Sequence, residues 1–98
     1  MTHISSEELK ALLKKDKVFL LDVREPDEHA DYNIGGTLIP LSEILLQYQQ
    51  IPITQTVIVY CKKGIRSQIA IQRLEEKFGF TNLVNLKGGM DAWRKEDF

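Results

Sequence analysis

Apolar residues fall along the chain in short continuous runs that alternate with longer stretches in which they recur at helical spacing. The continuous runs have strand length and predict strands covered on both faces. One such run lies at 18–23, further strands are predicted at 56–60 and 82–86, and a shorter extended segment lies at 38–40. The run at 56–60 is the clearest strand because it is rich in β-branched residues.

Helical spacing and helix-start signals predict helices between these strands. Ser5 and Glu8 have the spacing of a capping box, and a helix with leucines on one face is predicted after them at 7–14. A second amphipathic helix is predicted at 67–78, ended by Gly79. Shorter helices or turns are predicted at 27–30, at 42–48 with Ser42 as the cap, and at 90–96.

The alternation of strands and helices favours an α/β fold in which a mostly parallel sheet carries helices on both faces. We expect one domain over residues 1–98, because compact domains usually have about 100–150 residues. In such sheets, ligands bind beyond the carboxyl ends of the strands. Two polar segments follow predicted strands, one at Asp22-Val23-Arg24 and one that begins at Cys61.

Composition narrows the function classes. The 98 residues include 13 Lys and Arg against 14 Asp and Glu, and a net charge of −1 argues against a general nucleic-acid binder. One cysteine excludes an internal disulfide and a multi-cysteine metal site, and it fits a reducing compartment. No apolar stretch reaches the about 18–20 residues of a membrane helix, and the first residues do not resemble a secretory signal. We therefore expect a cytoplasmic protein with no membrane partner.

The segment after the clearest strand carries the candidate chemistry. A strand end, a short glycine-containing loop and a helix start follow one another, so backbone amides and the helix N-terminus can face an anion. Three cations lie within five residues of the cysteine, and all these effects favour its thiolate form. The alternatives are that the cysteine is an ordinary buried small residue and that the two lysines are solvated loop charges. The segment reads Cys61-Lys62-Lys63-Gly64-Ile65-Arg66-Ser67.

Three motifs in order resemble those of rhodanese-type sulfurtransferases over nearly the whole chain. They are Asp22-Val23-Arg24-Glu25-Pro26, Cys61-x-x-Gly64-x-Arg66-Ser67, and Leu86-Lys87-Gly88-Gly89-Met90-Asp91-Ala92-Trp93. The segment 38–44 is also similar to rhodanese domains attached to enzymes that activate ubiquitin-like sulfur carriers. The chain departs from the family's usual pattern at Asn33 and Gly35, where His and Pro are common. We expect this departure to change local stiffness and leave the chemistry intact.

The resemblance implies a five-stranded sheet and a sulfurtransferase. Cys61 would take a sulfur from thiosulfate or a similar anionic donor, form a persulfide, and pass the sulfur to a thiol, cyanide or a protein. The substrate would be bound by Lys62, Lys63, Gly64, Ile65, Arg66 and Ser67. Asp22 and Arg24 would brace the neighbouring loop as a charge pair. No metal or cofactor is implied, and with one cysteine in the chain the sulfur acceptor must be external.

Two other functions stay open. A phosphatase or arsenate reductase also uses a Cys-to-Arg anion loop, but such loops place five residues between the two, and only four lie between Cys61 and Arg66. A non-catalytic or sulfur-carrying interaction module is the other alternative. We expect His3 and His29 to be solvated surface residues, and Trp93 to cover the core.

Overall fold

The computed structural model describes residues 1–96 and contains five strands and four α-helices, which alternate except between the third and fourth strands. The strands are β1 (Thr2–Ile4), β2 (Phe19–Asp22), β3 (Thr37–Leu38), β4 (Val57–Tyr60) and β5 (Leu83–Leu86). The helices are α1 (Ser6–Lys15), α2 (Pro26–Asp31), α3 (Ile65–Phe78) and α4 (Gly89–Lys95).

All five strands form one parallel sheet in the order β1-β5-β4-β2-β3. Successive side chains of the central strand β4 point to opposite faces. Val57 and Val59 pack with α3, while Ile58 and Tyr60 pack with α1 and α4. The predicted α/β architecture with helices on both faces is therefore confirmed, and so is the expectation that Trp93 covers the core.

The helix starts follow from local signals. Ser5 caps α1 in a complete capping box with Glu8, as predicted. Helix α3 starts at Ile65, two residues before the predicted start, because Gly64 takes a left-handed conformation with φ of +93° and turns the chain into the helix. Gly79 ends this helix, again in a left-handed conformation.

Two predictions of local structure were incomplete. The helix predicted at 42–48 is wrong, since this region contains only two short 3₁₀ turns, Leu41–Glu43 and Tyr48–Gln50. Pro40 precedes the first turn and offers no side-chain acceptor to its free amides, so a longer helix lacks a cap. Strand β1 was not predicted, because Thr2–Ile4 has no apolar run and becomes a strand by pairing with β5.

Candidate active site

The sulfur of Cys61 lies directly after β4, at the carboxyl edge of the sheet. The backbone amides of Gly64 and Ser67 donate hydrogen bonds to Sγ at 3.1 and 3.3 Å. These two donors come from the loop and the first turn of α3, which is the inward-facing arrangement expected from the sequence. Amides directed at a sulfur atom stabilise negative charge on it.

The Ser67 hydroxyl completes the surroundings of the sulfur. The Cys61 thiol donates to Ser67 Oγ at 3.5 Å, and Ser67 Oγ in turn donates to Asn85 Oδ1 at 2.5 Å. Asn85 lies on β5 and is buried. The sulfur thus has hydrogen-bonding partners from the loop and from the first turn of α3, and the hydroxyl links it to a neighbouring strand.

A shallow depression of about 150 Å³ leads to the sulfur. Lys62 and Lys63 are exposed at its margin, and Ile65 is 64% exposed beside them. Cys61 is only 1% exposed, so the thiol lies at the base of the depression and not on the surface. The remaining wall is contributed by Arg66.

Arg66 is held by a carboxylate that the sequence does not single out. Its two terminal nitrogens donate to the two oxygens of Glu28 on α2 at 2.7 and 2.9 Å. Hydrogen bonding from Arg66 is the main cause that lowers the pKa of Glu28 to about 2, and the same bond raises the pKa of Arg66. Much of the Arg66 charge is therefore already balanced within the protein. The two residues lie 38 positions apart, and no local signal links them.

Asp22 and Arg24 form the expected charge pair, deep in the protein. Asp22 accepts from the backbone amide, Nε and one terminal nitrogen of Arg24 at 2.8–3.0 Å. Arg24 also donates to the carbonyl of Tyr32, at the end of α2. Burial is the largest single influence and opposes the charge of Arg24, but hydrogen bonding and attraction to Asp22, together with the fields of Tyr60 and Glu28, give a net rise in its pKa. The pair thus contacts the end of α2, the helix that carries Glu28.

The two histidines differ from each other in their surroundings. The expectation of a solvated His29 is wrong, because its side chain is only 24% exposed and Nδ1 lies 2.8 Å from Asp22 Oδ2. A buried carboxylate attracts any nearby N–H group, and α2 presents His29 to it. His3 is exposed, as expected, but its Nδ1 also lies 3.1 Å from Asn85 Nδ2.

The glycine pair after β5 fixes the start of the cysteine loop. The amides of Met90 and Asp91 donate to the carbonyls of Cys61 and Lys62, both at 2.9 Å. This approach requires glycine at 89, since a Cβ there would overlap the Cys61 carbonyl oxygen. The motif is visible in the sequence, but its role emerges only from this tertiary contact.

The described residues contain no group of three or more His, Cys, Asp or Glu side chains that could hold a metal ion. No helix within residues 1–96 is long and apolar enough to cross a membrane.

The chain is similar in sequence and fold to several known proteins. A sulfurtransferase of Allochromatium vinosum is 34% identical over 97 residues, covering 97% of this chain and 90% of its own. The thiosulfate sulfurtransferase GlpE of Coxiella burnetii is 32% identical, with 94% of this chain and 86% of its own covered. A rhodanese-related protein of Thermoplasma volcanium superimposes with a TM-score of 0.89 at 29% identity, covering 100% of this chain and 95% of its own.

A human single-domain sulfurtransferase, TSTD1, also superimposes, with a TM-score of 0.83 at 27% identity, and 100% of this chain and 99% of that protein are covered. The sequence model of the rhodanese-like domain matches residues 5–96. The match includes the Asp22–Arg24 pair, the cysteine loop and the glycine pair that holds it. The chain belongs to the rhodanese-like domain family.

Proposed function

We propose that this protein is a sulfurtransferase that carries a sulfane sulfur as a persulfide on Cys61. The observation that carries the proposal is the pair of amides, from Gly64 and Ser67, directed at Sγ at the base of a depression. These donors favour an anionic sulfur, both in the attacking thiolate and in the persulfide. The sulfurtransferase names of the relatives from Allochromatium vinosum and Coxiella burnetii support the same reaction class.

The first half-reaction consumes thiosulfate or a similar anionic donor. The Cys61 thiolate attacks the outer sulfur, the donor's S–S bond breaks, and sulfite leaves with the bonding electron pair. The exposed Lys62 and Lys63 at the margin attract the donor anion. Arg66 and Ile65 shape the wall of the depression, while Gly64 and Ser67 hold the sulfur.

The second half-reaction transfers the outer sulfur to an external nucleophile. A thiol, cyanide or a protein acceptor attacks the persulfide, and the Cys61 thiolate leaves. The chain contains one cysteine, so the persulfide cannot be resolved by a second thiol of the same chain. Asp22 and Arg24 support the site at a distance, because they hold the region of α2 from which Glu28 reaches Arg66.

The Glu28–Arg66 pair argues against phosphatase chemistry. A phosphatase needs the loop arginine to bind the transferred oxyanion, but both terminal nitrogens of Arg66 donate to Glu28. The hydrogen bonds that two backbone amides donate to Sγ argue against a non-catalytic module, because such a module needs no stabilised sulfur anion. If this protein instead carries sulfur to another protein, the chemistry is the same and only the second substrate differs.

Intact-protein mass spectrometry tests the proposal. Incubation with thiosulfate should add one sulfur, about 32 Da, and cyanide should then remove it as thiocyanate. Cys61→Ser should show neither the adduct nor thiocyanate formation. The absence of an adduct with every donor in a panel of thiosulfate, thiosulfonates and persulfides would refute the proposal. Hydrolysis of p-nitrophenyl phosphate that depends on Cys61 would favour the phosphatase instead.

A further inference from the structure

A chain of hydrogen bonds runs from the candidate nucleophile to the protein surface. It passes from Cys61 Sγ to Ser67 Oγ, from Ser67 Oγ to Asn85 Oδ1, and from Asn85 Nδ2 to His3 Nδ1. His3 and Asn85 are direct register partners on the adjacent strands β1 and β5. His3, at the outer end of this series of hydrogen bonds, lines a pocket of about 360 Å³. The other lining residues are Gln68, Asn85, Lys87 and Gly88.

The three hydrogen bonds all run in one direction when the cysteine is a thiol. The S–H group donates to the Ser67 hydroxyl, which donates to the Asn85 carbonyl oxygen. The Asn85 amide group then donates to His3, whose Nδ1 acts as the acceptor. In this state the Ser67 proton points away from the sulfur.

An anionic sulfur requires the opposite direction. A thiolate or persulfide has no proton to donate, and it is best stabilised when the Ser67 hydroxyl donates to it. Ser67 Oγ must then accept from Asn85, so the Asn85 carboxamide must turn by about 180° and present Nδ2 to Ser67. Its carbonyl oxygen would then face His3, which must supply an N–H at Nδ1.

We infer that Asn85 is a positioning residue that sets the direction of the Ser67 hydroxyl, and that His3 holds Asn85 in one of its two orientations. An asparagine suits this task because one end donates and the other accepts. His3 with a proton on Nδ1 favours the orientation that stabilises the anionic sulfur, and by linkage an anionic sulfur favours that proton. The role in sulfur transfer rests on the proposed function.

Charged groups lie in and near the outer pocket that His3 lines. Among the residues that line the outer pocket, Lys87 is the charged side chain, whereas Gln68 of α3 and Asn85 of β5 are neutral. Glu8 of α1 interacts with Lys87 and partly balances its charge.

Alkylation of the thiol by iodoacetamide tests the inference without any sulfur donor. The chain has one cysteine, so the rate reports on Cys61 alone. We expect the ratio of the wild-type rate to the His3→Ala rate to rise about threefold as the pH falls from about 8 to about 5.5. Asn85→Ala should remove this dependence on His3. Thr2→Ala, at an exposed position on the same strand, is the matched control and should leave the ratio flat.

A second variant tests the direction of the Ser67 hydroxyl. Asn85→Asp places a group at 85 that only accepts, so the hydroxyl stays turned away from the sulfur, and alkylation at pH about 7 should be about tenfold slower. In a Ser67→Ala background the same substitution should have little effect on the alkylation rate, because the hydroxyl that links residue 85 to the sulfur is then absent.

Two results would overturn the inference. Equal slowing by Asn85→Asp with and without the Ser67 hydroxyl would mean that the new charge acts through space. A ratio for His3→Ala that does not change with pH would mean that the charge of His3 is not coupled to the sulfur. Should Asn85→Asp fail to fold, the His3 measurement decides alone, because His3 is exposed. Absence of a persulfide would refute the proposed function but would leave these thiol measurements unaffected.

Discussion

Replacing Gly89 by alanine tests whether the glycine pair holds the cysteine loop. A Cβ at 89 would overlap the Cys61 carbonyl oxygen and lie 2.6 Å from that of Lys62, and both obstacles are backbone atoms that cannot rotate away. Gly89 also has a φ of +57°, which alanine adopts only with strain. Gly79 is the matched control, since its φ is +71° and no atom lies within 4 Å of the position that an added methyl group would take.

The two substitutions share one cost and differ in another. The left-handed conformation costs an alanine about 1–2 kcal/mol, which is the whole effect expected for Gly79→Ala. Relief of the contact at 89 also stretches the bonds from Met90 and Asp91 to the loop carbonyls. Each such bond contributes about 1 kcal/mol, so Gly89→Ala should lower the free energy of unfolding by about 3–4 kcal/mol.

Urea denaturation followed by the fluorescence of Trp93 measures both variants. Trp93 is buried on α4, so its emission reports on the docking of the helix that carries Gly89. The free energies of unfolding should differ between the two variants by about 2 kcal/mol. Equal destabilisation within about 0.5 kcal/mol would show that only backbone strain matters at 89, and that close approach to the loop does not.

Three further predictions concern charges. Glu28→Gln should lower the free energy of unfolding by about 1–2 kcal/mol at neutral pH. Both carboxylate oxygens accept from Arg66, but the ion pair is partly exposed. Because folding lowers the pKa of Glu28 from 4.5 to about 2, this difference should be complete above pH 4.5 and vanish as the pH falls towards 2. Asp22→Asn should cost about 3 kcal/mol, because it leaves a buried guanidinium without its counter-ion. Lys62→Ala/Lys63→Ala should lower kcat/KM for thiosulfate more at low salt than at high salt, because salt screens exposed charges.

Each of these has its own check. Acid titration of stability that shows a constant cost for Glu28→Gln from pH 7 down to about 2 would contradict the ion-pair argument. Asp27→Asn is the control for loss of an acidic charge alone, because Asp27 is exposed on α2. Its free energy of unfolding should stay within about 0.5 kcal/mol of that of the wild type. A loss for the double lysine variant that is equal at both salt concentrations would mean that the lysines do not act through their charge.

Local signals explain what the sequence predicted well. The capping box at Ser5, the central strand and the end of α3 at Gly79 are each read from a few neighbouring residues. The cysteine loop was found for the same reason, since a strand end, Gly64 and a helix start are adjacent in sequence. The amides that reach Sγ come from within six residues of Cys61.

Long-range contacts explain what the sequence did not reveal. Glu28 is an unremarkable helix residue until the fold places it against Arg66. His3 reaches Asn85 across 82 positions, because β1 joins the edge of the sheet beside β5. Residues 2–4 have too little apolar character to be recognised as a strand from the sequence, and they form one because they pair with β5. A pattern within one segment cannot contain these partners.

The position of α4 has a consequence for the order in which the protein matures. The loop that holds Cys61 is fixed by amides of Met90 and Asp91, which leave the ribosome later than the loop itself. Strand β1 is made before β5, the strand with which it pairs, so it stays without this partner until β5 has been made. The nascent chain therefore exposes its thiol before the structure that positions it exists. The cysteine loop is therefore fixed only after residue 91 has been synthesised and docked.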